Sequence, residues 1–456
     1  MLRRRPRPLP ASSAVAHTPG ANTKQPGRRV FALAVLLFVG VLTLLWGRGD
    51  LEQVARLGVP TMQPTFVDAY AISGASASLA QGADPLVHNP GDVMQRPMNY
   101  PRPWLLLAHA GLLPEHTGWL VGAFLLVFVL GLLALRPLAS SCATGALLAL
   151  GLFSPVVWLA VERGNNELLV FGLVALAAAA AGRRPGLASL GLLAATLAKL
   201  FPVFAVFGLL CDGPRSRRFA WLSLAAIGGW LAVTFADLGR IRAGTFHWNR
   251  IGYGIDQAAT TLAKNGLSLP LLLTAAIVAA GLVLLVGGWL RTRTRFLAPG
   301  ERSEPATAGV VPFAMGAAIY VGTFCTGSSF DYRLLFLLLT VPQLVVWSGS
   351  LRGRWRFAVR GTLVLVLAML WSLTWQMGLK VAFGPRGEEL GLLLDEALSW
   401  LLFGCLSTAL WLLVPDALLP RRWRGRPALD DRSDVLPLPV GAGVAPVRPA
   451  RASEAG

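Results

Sequence analysis

Four cysteines in 456 residues leave little room for sulfur chemistry. Cys142, Cys211, Cys325 and Cys405 lie far apart, inside or at the ends of apolar runs, with no CxxC pair and no histidine at ligand spacing. That pattern argues against a disulfide framework and against a zinc site. Charge is also scarce: Asp, Glu, Lys and Arg make up 14% of the chain against 54% hydrophobic residues, too apolar a balance for one soluble domain of this length. Lysine is rarer still, confined to Lys24, Lys199, Lys264 and Lys380.

What the chain has instead is apolar sequence, in runs of about 17 to 24 residues that recur from Arg29 to Pro420. They predict an all-α polytopic membrane protein. The net charge of +18 would suit nucleic acid, but the basic residues fall in short clusters beside the ends of apolar runs. Cytoplasmic loops carry that signature, so the charge is read as membrane orientation and no nucleic-acid partner is expected. The first run, Val30 to Trp46, is followed by Trp-Gly-Arg-Gly-Asp rather than a small-residue cleavage site, and is read as an uncleaved anchor.

Charge bias then sets the path. Residues 1–29, rich in Pro, Ser and Arg, are expected to be a disordered cytoplasmic tail; residues 30–415 form the multi-spanning domain; residues 416–456 form a second disordered cytoplasmic tail. Residues 48–103 make a long first extracytoplasmic loop with short helices at the interface. The stretch VERGNNE (161–167) caps the outward end of a hairpin of spans. The apolar segment between Arg183-Arg184 and Arg215, Arg217 and Arg218 raises a parity problem, because a single span would place one basic cluster outside and invert every later loop. Two short helices broken at Lys199-Leu200-Phe201-Pro202 resolve it, since proline removes a backbone donor and disfavours helix just before it. The result is about twelve segments with both termini inside the cell, in the inner or plasma membrane.

Four polar clusters then face outward: Phe66-Val-Asp68-Ala-Tyr with Asn99-Tyr100-Pro101, Glu162-Arg163-Gly-Asn165-Asn166-Glu167, Ala198-Lys199-Leu-Phe-Pro202, and Ser328-Ser-Phe-Asp331-Tyr-Arg333. A charge at membrane depth costs roughly 2.5–3.5 kcal/mol on insertion scales, so Glu162, Arg163, Lys199, Asp331 and Arg333 require pairing or function. The plain alternative is an interfacial side chain reaching water. His88, His109, His116 and His247 read as interfacial, and Asp84-Pro85 as a turn. Trp248, Asn249, Tyr253 and Asp256 suit either a sugar-stacking loop or an aromatic belt.

The order Asp68-Ala-Tyr, Gly82-Ala-Asp84-Pro85, Asn99-Tyr100-Pro101, Arg163-Gly-Asn-Asn-Glu167 and Ala198-Lys199-Leu-Phe-Pro202 resembles the family 87 glycosyltransferases of the glycosyltransferase C superfamily. The resemblance covers roughly residues 30 to 415, with its motifs between 68 and 202. It implies transfer of a hexose, mannose among the candidates, from a polyprenyl-phosphate donor to a lipid or glycan acceptor on the extracytoplasmic face. It also implies Asp68 as catalytic base. Arg163, Lys199 and Arg333 are the candidates for the donor phosphate, and Glu162, Asn165, Asn166, Tyr100 and Asp331 for the sugar or acceptor; no metal or cofactor is expected. The family's Tyr-Pro-Pro is broken here by Arg102. The competing reading is a transporter or flippase for lipid-linked sugars, with Glu162 and Lys199 lining its path.

Overall fold

A computed structural model of the chain describes residues 25–245, 251–263, 266, 268–293, 309–327 and 329–419. Inside hydrocarbon the backbone must satisfy its own hydrogen bonds, and the apolar runs accordingly become helices. Among the described residues four helical segments are long and apolar enough to cross a membrane, Pro26–Arg48, Pro114–Leu138, Leu269–Arg291 and Ser372–Leu413, and three bent pairs qualify as broken spans. The chain is therefore an all-α membrane protein; among the described residues one two-residue ladder pairs Gly252–Tyr253 to Ser329–Phe330.

In chain order, α1 is Pro26–Arg48, α2 Val67–Ala80, α3 Thr117–Leu135, α4 Cys142–Leu152, α5 Pro155–Glu162, α6 Glu167–Ala180 and α7 Pro185–Ala198. After a 3-10 turn, Phe201–Ala205, come α8 Val206–Asp212, α9 Pro214–Val233, α10 Phe235–Gly244, α11 Leu269–Arg293 and α12 Val310–Cys325. A 3-10 segment, Asp331–Leu339, leads into α13 Val341–Ser350, α14 Gly353–Leu370 and α15 Ser372–Leu413. Helix α1 starts at Pro26, so the expected tail gives up its last residues to helix; residues 1–24 and 420–456 lie outside the described residues, and Asp416–Leu418 form a 3-10 turn.

The first eight helices have two distinct ends. At one end Arg28 donates to Pro137 O, and a Cβ added at Gly182 would stand 4.0 Å from Asp212 Oδ1. Gly182 precedes α7 and Asp212 ends α8, so the chain enters and leaves α7–α8 at the same end, which is the hairpin that charge parity requires. Lys199 supplies the break, with extended backbone at φ −159° and ψ 135°. Segment α15 is a second hairpin: Gly384 has φ 62°, Gly387 abuts the Leu379 carbonyl, and Lys380 pairs with Glu388.

Helices α3 and α6 approach through glycines. A Cβ added at Gly131 would lie 2.6 Å from Gly172 Cα, and one at Gly172 would strike the Val127 carbonyl. The first loop holds a short helix, α2, that is largely buried and tied down by Ser73 to Thr117 and by Asn89 to Ala71 O and Ser78.

Candidate functional site

The end of the bundle opposite Arg28 and Gly182 collects Asp68, Asn165, Glu167, Lys199 and Arg333 from four distant stretches of chain. The turn between α5 and α6 organises it. Gly164 has φ 58°, and a Cβ there would meet Val121 Cγ2 at 2.7 Å and Phe66 Cβ at 2.8 Å, so both the backbone and the space call for glycine. Phe66 N–H donates to Glu162 O and Asp68 N–H to Arg163 O, both at 2.9 Å, which staples the start of α2 to this turn.

Asn165 is fully buried and joins the cluster together. Its Nδ2 donates to Asp68 Oδ2 at 2.8 Å, while its Oδ1 accepts from Lys199 Nζ at 3.2 Å and from Glu167 N–H at 3.0 Å. The partners fix the orientation of the amide, because a carboxylate only accepts and an ammonium only donates. With both lone pairs and one N–H taken, Asn165 is a linker rather than the sugar-reading side chain expected from sequence.

Lys199 Nζ and Arg333 Nε both lie 2.9 Å from Glu167 Oε1. Arg333 also donates to Ser329 Oγ at 2.8 Å and its guanidinium sits 5.0 Å from the centre of the Phe201 ring. The Lys199 ammonium lies over Tyr100 at 5.3 Å and Tyr332 at 5.4 Å, distances at which ring faces attract cations. Pro202 cannot donate to the carbonyl four residues earlier, and that carbonyl, Ala198 O, accepts instead from Trp104 Nε1 at 2.8 Å and Asn166 Nδ2 at 3.2 Å. The helix break is thus bonded to the first loop and to the turn at once.

Asp68 remains partly open, its side chain 17% exposed, and its other oxygen accepts from Arg96 at 3.3 Å. Arg96 grips Asp92 through two nitrogens, at 2.9 and 3.1 Å, and donates to Val67 O. Burial by itself would lower the Arg96 pKa; the Asp92 hydrogen bond and charge, with Asp68, outweigh it and push the pKa above its ordinary value. The buried Tyr100 phenol is raised well above its usual pKa, first by burial and then by Asp68.

Other expected site residues stand apart from this cluster. Arg163 Nε is 3.2 Å from Glu162 Oε2, without hydrogen-bond alignment, and its NH2 donates to Pro60 O at 2.7 Å. Glu162 Oε1 accepts from Met62 N–H at 2.7 Å; with side chains 5% and 2% exposed, the pair braces the chain before α2. Asp331 is fully buried and neither carboxyl oxygen has a hydrogen-bond partner among the described residues, although Arg333 two residues later reaches the cluster.

Arg102 binds both oxygens of Asp237 at 2.7 and 3.0 Å and Asp84 at 3.2 Å, so Asp84 pairs with charge as well as shaping its turn. Tyr253 is buried, stacked on Tyr320 and bonded to Thr323, a packing role. His88 and His109 are exposed, His116 Nδ1 accepts from Leu113 N–H, and His247, Trp248 and Asn249 lie outside the described residues. Among the described residues no group of three His, Cys, Asp or Glu side chains is placed to hold a metal ion.

Sequence reasoning passed over Glu167 and Arg96 as site residues. Glu167 is part of the Glu162–Glu167 cluster, beside Asn166; Arg96 is a loop arginine with no pattern to mark it. The cluster joins a partly open carboxylate, through one amide, to two cations that share a buried counter-ion. No family model, curated protein or solved structure matches the chain.

Proposed function

We propose that the chain is a membrane glycosyltransferase with a glycosyltransferase C-type arrangement of about twelve spans. It moves a hexose from a polyprenyl-phosphate donor to an acceptor hydroxyl of a lipid or glycan on the extracytoplasmic face. The observation that carries this reading is the Asp68–Asn165–Lys199–Glu167–Arg333 network at one end of the bundle. Asp68 takes the acceptor's proton as its oxygen attacks the anomeric carbon, and a single displacement of this kind inverts that carbon. The departing polyprenyl phosphate gathers negative charge, which Lys199 and Arg333 stabilise.

A transport path through the bundle finds no support at this point. Directly below Glu167, Phe171 packs on Phe128 at 5.3 Å and on Phe336 at 5.8 Å, an apolar floor under the polar cluster. The test is Asp68→Asn in membranes supplied with labelled polyprenyl-phosphate mannose and glucose. Transfer is expected to fall by about 10²–10⁴-fold with the protein level unchanged. Undiminished transfer would remove Asp68 from the mechanism.

A further inference from the structure

Glu167 has no part in the chemistry just described, yet it is the most enclosed charge of the cluster. It is the first residue of α6, fully buried, and a single oxygen, Oε1, receives both Lys199 Nζ and Arg333 Nε at 2.9 Å. Arg333 comes from 166 residues away in sequence and is held at Glu167 with Ser329 Oγ as its one local hydrogen-bond partner among the described residues. Oε2 is buried without a hydrogen-bond partner among the described residues. Two cations meeting on one oxygen repel each other; the carboxylate between them keeps them together.

We propose that Glu167 is a positioning residue: a fixed counter-ion that holds Lys199 and Arg333 side by side as a two-cation seat for the donor's phosphate while cancelling part of their charge. This rests on the glycosyl-transfer reading. Glu167 acts on the donor through the two cations and touches neither sugar nor acceptor.

The assignment makes binding and turnover respond in opposite directions. Glu167→Gln keeps the size of the side chain and can set its carbonyl oxygen where Oε1 stands, with its NH2 in the unpartnered Oε2 position, but it removes the charge that offsets the repulsion of the two cations. The cations gain net charge toward an anion and lose their fixed spacing. A residue that merely stabilises the fold would weaken binding and turnover together.

The experiment uses the full-length purified protein in detergent. Farnesyl phosphate, a short polyprenyl phosphate, is titrated by tryptophan fluorescence, and kcat and KM are measured with labelled polyprenyl-phosphate sugar. For Glu167→Gln, farnesyl phosphate is expected to bind as tightly as to wild type or up to about tenfold tighter, with kcat down about tenfold or more. Glu167→Asp keeps the charge but falls one methylene short of the point where Oε1 meets both cations, so its kcat lies between those of wild type and Glu167→Gln.

Wild-type kcat in either variant overturns the proposal, as does parallel loss of binding and turnover in a variant that still elutes as a monodisperse peak. If Glu167→Gln does not fold, Glu167→Asp decides by its kcat alone. A wild type that neither binds farnesyl phosphate nor transfers sugar overturns the glycosyl-transfer reading itself, whereas an active wild type with unaffected variants overturns only the role of Glu167.

Discussion

Replacing Arg163 by leucine separates the two roles that sequence left open for it, phosphate ligand or partner of Glu162. In the structure its Nε is 3.2 Å from Glu162 Oε2, and both side chains are almost fully enclosed. At an effective dielectric near 20, charges that close attract by ~5 kcal/mol, most of which offsets the desolvation of the two groups. Removing one partner leaves Glu162 buried with only the Met62 N–H, which should cost about 3–5 kcal/mol. Removing both, as in Arg163→Leu with Glu162→Leu, should cost less than the two single changes added, with a coupling of about 1–3 kcal/mol. The assay is thermal unfolding of the purified protein in detergent for the four members of the cycle, alongside farnesyl phosphate titration of each. Melting temperatures should show the coupling, and affinity for farnesyl phosphate should stay within about threefold of wild type, under 1 kcal/mol. Additive melting shifts, or a large loss of affinity in Arg163→Leu at unchanged melting temperature, would refute the bracing role and return Arg163 to the donor site.

Two further outcomes follow from close contacts. Gly172→Ala would drive a methyl group into the Val127 carbonyl and part α3 from α6, so the melting temperature should fall by the equivalent of about 1–3 kcal/mol; an unchanged melting curve would mean that the two helices separate freely. Tyr100→Phe keeps the ring below Lys199 and should melt like wild type, whereas Tyr100→Leu should lose about 0.5–2 kcal/mol; equal stability of the two variants would deny the cation–ring contact its role.

Features governed by backbone rules were legible in the sequence. Proline at 202 announced a break, and the structure puts extended backbone at Lys199 and a reversal around it, as the arginine clusters on either side required. The polar stretches at 68, 163–167, 199 and 333 also meet at one end of the bundle. Which atoms meet was not legible, because hydrogen-bond partnership depends on angles that residue order does not carry. Asp331 and Arg333, two residues apart at the start of a 3-10 segment, diverge: one is fully buried with neither carboxyl oxygen hydrogen-bonded among the described residues, and the other reaches Glu167. Arg96 had no periodicity to betray it, although it grips Asp92 and Asp68 together.

The same limit explains why Asn165 and Glu167 exchanged importance. A sequence places both at the outward tip of a hairpin and favours the amide for reading sugar hydroxyls, since amides offer donors and acceptors alike. The sharp turn at Gly164 points Asn165 inward, where Asp68, Lys199 and the Glu167 N–H consume most of its hydrogen-bonding capacity. The turn that enables the motif thus converts its most sugar-like residue into wiring. The side chains of the cluster that keep some exposure are the carboxylate at one end of that wiring, 17%, and the two cations at the other, 11% and 18%. On the proposed glycosyl-transfer reading, the acceptor brings the proton that the carboxylate takes and the donor brings the negative charge that the cations hold.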